Sequence, residues 1–171
     1  MAEPLYVYLL LDHSASMSGA ALESLRQGAQ ALLSAFESYG GRPLRAALLA
    51  FESAPTALTP PQDVRAELFH ADFNLILATL EPAGASNLGG ALRRLAAELP
   101  DAPVALYLFS DGDFTDDGLE ALAELRPRLK RFYAVACGMA ANRAAFAAAD
   151  QVFSVQQLTA DVLLMSLRAI E

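Results

Sequence analysis

Four short apolar runs constrain this chain more than any other feature: LYVYLLL at 5–11, LRAALLAF at 44–51, VALYLF at 104–109 and RFYAVAC at 131–137. Each is too short for a globular helix and lacks the polar alternation of a half-exposed strand, so each reads as a strand buried on both faces. Between the first two, GAALESLRQGAQALLSAFESYG places Leu22, Leu25, Ala29, Leu32, Leu33 and Phe36 at helical spacing and closes on Gly40 and Gly41. The alternation recurs: LGGALRRLAAEL precedes the third run, DDGLEALAELRPRL precedes the fourth, and LTADVLLMSLRAI comes last. Buried strands separated by amphipathic helices predict an α/β fold, doubly wound, with a mostly parallel central sheet and helices on both faces.

The intervening segments add detail. APTALTPP, after the second run, predicts one antiparallel edge strand, a place where proline is tolerated. Residues 62–85 are expected to hold a short helix around 73–80 and then a Pro/Gly loop, NRAAFAAAD a short helix, and QVFSV a last strand. Leu158, Val162, Met165 and Ile170 are expected to face the sheet, Tyr107, Tyr133 and Cys137 to lie in the core, and His70 to sit on a surface loop. With no repeat, long linker or charge run, the 171 residues read as one domain, 1–171, and a hydrophobic content of 54% suffices for its core.

Charge and cysteine usage exclude several functions. Twelve basic against 20 acidic residues, net −8, disfavour nucleic acid or an anionic membrane as partner. One cysteine rules out an internal disulfide, and one Cys with two distant histidines, His13 and His70, cannot build a structural zinc site. The first apolar stretch lacks a basic lead and stops at Asp12, too soon for a signal peptide or a membrane span, so a soluble, cytoplasmic protein is expected.

In an open parallel sheet, ligands collect at the carboxyl ends of the strands. Three polar loops belong there: Asp12, Ser14 and Ser16 in LLLDHSASMSG, Ser86 in GASNLGG, and Asp111 in SDGDFTDD. Together they offer only oxygen donors, hydroxyls mixed with carboxylates, which is the chemistry of a hard divalent cation. The DxSxS alone would equally suit a turn or a helix cap; its conjunction with the other two loops carries the argument. Asp113, Asp116 and Asp117 lack the glycine and terminal glutamate of an EF-hand and, following Thr115, read as a helix N-terminus. GASNLGG lacks the Lys-Ser/Thr ending of a phosphate-binding loop.

The DxSxS of Asp12, Ser14 and Ser16, the GASNLGGAL loop with Ser86 and the SDG with Asp111 resemble the metal-ion-dependent adhesion site of von Willebrand factor A domains. Strand and helix order agrees over nearly the whole chain. Within that family, YLLLDHSASM, GASNLGGAL and DGDFTDD are similar to the bacterial TerY-like proteins of tellurium-resistance clusters. The resemblance implies Ser14 and Ser16 as direct metal ligands, Ser86 in the family's threonine position, and Asp12 and Asp111 acting mainly through water. It implies magnesium first, with manganese or calcium as alternatives, and a partner protein donating an Asp or Glu carboxylate, such as a kinase or phosphatase of one stress-signalling system. It implies binding rather than catalysis.

Residues around that rim, His13, Met17, Asn87, Asp113 and Phe114, are expected to select the partner, with Phe114 either a hot spot or packed beneath its loop. The competing reading is a magnesium-dependent phosphoaspartyl enzyme or receiver-like phosphoacceptor on Asp12. Against it, no aspartate stands two residues after Asp12 and the only lysine is Lys130. A metal-free, purely structural rim is the third reading.

Overall fold

The computed structural model describes residues 2–171. In chain order the elements are β1 (Leu5–Asp12), α1 (Ala20–Ser38), β2 (Leu44–Phe51), β3 (Pro55–Leu58), β4 (Gln62–Asp63) and α2 (Glu67–Thr79). There follow α3 (Leu88–Ala96), β5 (Val104–Ser110), α4 (Gly118–Leu125), β6 (Arg131–Ala136), β7 (Gln151–Ser154) and α5 (Ala160–Arg168). One sheet runs β3-β2-β1-β5-β6-β7, and β4 also pairs with β2. β1, β2, β5, β6 and β7 are mutually parallel; β3 and β4 run antiparallel to β2.

β1 lies in the middle of the sheet, Leu9 facing Leu48 on one side and Tyr107 on the other. Its side chains alternate between two cores. Leu5, Val7, Leu9 and Leu11 pack with residues of α1, α2 and α5, whereas Tyr8 and Leu10 pack with residues of α3 and α4. Burial on both faces is why the strand is apolar without a break, and it confirms the doubly wound, mostly parallel fold expected from the sequence.

Several local expectations need correction. The expected edge strand is β3, but the two-residue β4 adds a second antiparallel contact. α2 begins at Glu67, well before the expected 73. NRAAFAAAD does hold a short helix, of the 3₁₀ kind and limited to Arg143–Phe146. His70 belongs to α2, not to a loop; its Nε2 lies 2.8 Å from the Val64 carbonyl and its Nδ1 3.6 Å from the Glu37 carboxylate. In α5, Met165 faces outward, 68% exposed, while Leu163 and Leu167, and Ile170 just beyond the helix, are buried. The phase of that helix follows from two core tyrosines that need polar partners. Ser166 supplies them: its hydroxyl lies 2.5 Å from Tyr107 Oη, and its carbonyl accepts the Tyr133 O–H at 3.0 Å.

Candidate metal centre

β1 delivers Asp12 to the carboxyl rim of the sheet, where it is 0% exposed. Its Oδ1 accepts the Ser14 amide at 2.9 Å, and its Oδ2 accepts the hydroxyls of Ser86 at 2.9 Å and Ser110 at 2.6 Å. Among the described residues no Lys, Arg or His pairs with it. A buried carboxylate is tolerable only with such charge-assisted bonds. Ser86 and Ser110 give their protons to it and so turn their lone pairs elsewhere. Ser14 Oγ lies 3.3 Å from Ser16 Oγ. Adjacent ligands of an octahedron with bonds of ~2.1 Å stand ~3.0 Å apart, so this spacing fits a divalent cation. Among the described residues no three His, Cys, Asp or Glu side chains converge on one point, so any such centre is built mainly of hydroxyls.

The Ser86 loop is suspended from its neighbours by backbone. The Gly84 carbonyl accepts the Ala15 amide at 3.0 Å, the His13 carbonyl accepts the Ala83 amide at 3.0 Å, and the Glu52 carbonyl accepts the Asn87 amide at 2.9 Å. Gly84 has φ +67, and the place a Cβ would take is filled by the Ser53 hydroxyl and Glu52 carboxylate. Only glycine fits there. That Ser53 hydroxyl also accepts the Ala85 amide at 2.9 Å.

The third loop is less enclosed. Asp111 is partly exposed, and its Oδ1 accepts the Asp113 amide of its own loop at 3.0 Å. Gly112, at φ +78, turns its amide to Ser110 Oγ at 3.1 Å. Further along, the Thr115 amide donates to the Ser86 carbonyl at 3.1 Å. Asp116 accepts the amides of Gly89 at 2.9 Å and Gly118 at 3.0 Å, serving the N-termini of α3 and α4 with one carboxylate. Asp117 pairs with Arg93.

The structure therefore brings Asp12, Ser14, Ser16 and Ser86 together and adds Ser110, which sequence reasoning missed. Asp111 follows Ser110 at the mouth. Burial, aided by the charges of Asp12 and Asp111, pushes the Cys137 thiol above its ordinary range. Two expected partner contacts are overturned. His13 is 7% exposed with both ring nitrogens engaged, and Met17 is fully buried in the core beneath α1, because the 3₁₀ turn Ala15–Met17 rolls it inward. Asn87 is half-buried and occupied: its Nδ2 donates to the Ser53 carbonyl at 2.8 Å and its Oδ1 accepts the Thr115 hydroxyl at 3.1 Å. Asp113 is exposed. Phe114 is half-buried, edge-on to Phe146 with ring centroids 6.2 Å apart, which is the packed alternative.

The geometry also bears on the phosphoacceptor reading. Both Asp12 oxygens are committed to donors and none faces solvent. Lys130 precedes β6, at the opposite end of the sheet, and its Nζ donates to the Glu171 carbonyl at 2.9 Å.

Residues 7–114 match the sequence model of the von Willebrand factor type A (vWA) domain. The chain belongs to that family. No curated protein sequence matches this vWA chain. Among solved structures it is similar to an aerotolerance-related membrane protein from Bacteroides fragilis, over 97% of this chain and 98% of the other, with 13% identity and a TM-score of 0.72. A von Willebrand factor type A structure from Catenulispora acidiphila is similar over 99% of this chain and 43% of its own, with 16% identity and a TM-score of 0.69. The manganese-loaded TRAP protein of Plasmodium vivax is similar over 83% and 60%, with 18% identity and a TM-score of 0.64. At these identities the likeness is one of fold, and the vWA chain spans under two thirds of the last two proteins. Among the described residues no helix is long and apolar enough to cross a membrane.

Proposed function

We propose that this vWA domain is a metal-dependent protein-binding module whose adhesion-type site comprises Asp12, Ser14, Ser16, Ser86 and Asp111. The observation that carries the reading is Asp12: a fully buried carboxylate, without a basic partner among the described residues, that takes the protons of the Ser86 and Ser110 hydroxyls and so leaves Ser86 Oγ able to offer its lone pairs to a cation. A bound divalent cation, magnesium first and manganese or calcium otherwise, would supply a Lewis-acidic position for an oxygen of a partner's Asp or Glu. Asp12 orients the hydroxyls. Ser14, Ser16 and Ser86 are neutral donors and leave the local charge positive, which lets an acidic ligand approach a chain of net charge −8. Asp111, half open, is the carboxylate with freedom to adjust.

The motifs YLLLDHSASM, GASNLGGAL and DGDFTDD support a TerY-like place for the domain, as a cytoplasmic component of a bacterial tellurium-resistance or stress-signalling system. The partner class is then a kinase or phosphatase of that system. Thermal unfolding with and without cation tests the metal step. Manganese or magnesium at 100 times its dissociation constant should stabilise the domain by ~2.7 kcal/mol, reversed by chelator. A midpoint unmoved by millimolar magnesium, manganese or calcium would refute the reading.

A further inference from the structure

His13 stands between Asp12 and Ser14, yet its contacts lead away from them to three other segments. Its amide donates to the Phe51 carbonyl at the end of β2 at 3.0 Å, and its carbonyl accepts the Ala83 amide at 3.0 Å. Its Nδ1 lies 2.8 Å from the Glu81 carbonyl and its Nε2 2.6 Å from the Thr56 hydroxyl on β3. A carbonyl can only accept, so Nδ1 carries the proton, and in the neutral ring Nε2 accepts the Thr56 O–H. With the ring 7% exposed, water has little access to replace either partner.

These bonds converge on one joint. Ala83 leads directly into Gly84, whose carbonyl accepts the Ala15 amide, and then to Ser86. The loop bearing Ser14 and Ser16 and the loop bearing Ser86 are thus stitched together at residues 13 and 15. The imidazole fastens that joint to the outermost strand of the sheet.

Resting on the metal-binding reading above, we propose that His13 is a positioning residue: it sets the separation of Ser14 and Ser16 from Ser86, and through Thr56 it makes divalent-cation affinity depend on the edge strand β3. Thr56 is exposed and outside the ligand set, so it reports on the latch without touching the cation. Removing its hydroxyl leaves a buried ring nitrogen without a partner, and the ring is then held by the Glu81 carbonyl alone. Loss of the groups that orient metal ligands typically weakens metal affinity by about 10- to 100-fold.

Thr56→Val keeps the branched shape suited to a strand and deletes the hydroxyl; Thr56→Ser keeps the hydroxyl. Mn2+ dissociation constants, read from the paramagnetic resonance of free Mn2+, should rise about tenfold for Thr56→Val and stay near wild type for Thr56→Ser. The metal-free urea midpoint should match wild type in Thr56→Ser and fall modestly in Thr56→Val, which leaves Nε2 unpaired, and the Ala15 and Ala83 amides should exchange faster in Thr56→Val. Wild-type Mn2+ affinity in Thr56→Val overturns the proposal, as does an equal loss in both variants, which would mark a merely structural strand. A wild-type chain that binds no Mn2+ overturns the metal reading itself. Amide exchange in the metal-free protein then judges the latch alone, and unchanged protection of Ala15 and Ala83 in Thr56→Val sinks it.

Discussion

Asp12 ends β1 and Asp111 follows the neighbouring parallel strand β5 at the same rim, yet they are held in opposite ways. Asp12 is fully buried, and its oxygens gather donors from Ser14, Ser86 and Ser110, the last two lying 74 and 98 residues away in sequence. Asp111 is partly open, and among the described residues its side chain bonds only the Asp113 amide two residues on. One aspartate closes the tertiary structure of the site; the other closes a local turn. The same residue type thus serves as frame or as free arm according to how far away its partners come from.

Substitutions can break that contrast. Asp12→Ala strands an amide and two hydroxyls in a buried place, and should cost about 3 kcal/mol in urea unfolding while abolishing stabilisation by metal. A loss below about 1 kcal/mol would show that Asp12 is no frame. Ser110→Ala removes a single charge-assisted bond and the acceptor of the Gly112 amide, and is expected to cost about 1.5 kcal/mol. Its Mn2+ binding, followed by calorimetry, should weaken without vanishing; complete loss would make Ser110 a ligand in its own right. Asp111→Ala should change metal-free stability by less than about 0.5 kcal/mol, yet cancel the metal-dependent rise in melting temperature. Destabilisation equal to that of Asp12→Ala would erase the comparison.

Much of the fold was legible because β1, β2, β5 and β6 are buried on both faces, so their identity is written in local composition. β4 was not, since its two residues exist as strand only by pairing with Arg45 and Ala46. The start of α2 was hidden because Leu68 and Leu75, each 64% exposed, blur its apolar face, and Ala66 offers no side-chain cap.

At the site, the spacing of Asp12, Ser14 and Ser16 and the loop of Ser86 were readable as a pattern of oxygen donors. Ser110 stood in view within SDG, but a serine at the end of a strand carries the same local signal as any turn residue. The sequence makes His13 and Met17 candidates for selecting the partner because nothing local foretells a histidine whose partners lie 43 and 68 positions away. The inward roll of a single 3₁₀ turn is equally invisible in composition.

The carboxylate of Asp116 is shared by the first turns of α3 and α4, and Thr115 grips both the Ser86 carbonyl and the Asn87 side chain. Sliding α4 without α3 would leave Gly89 or Gly118 with an orphaned amide. The two outer walls of the rim are therefore geared to one another. A displacement of one wall would have to break these bonds or carry the other wall with it.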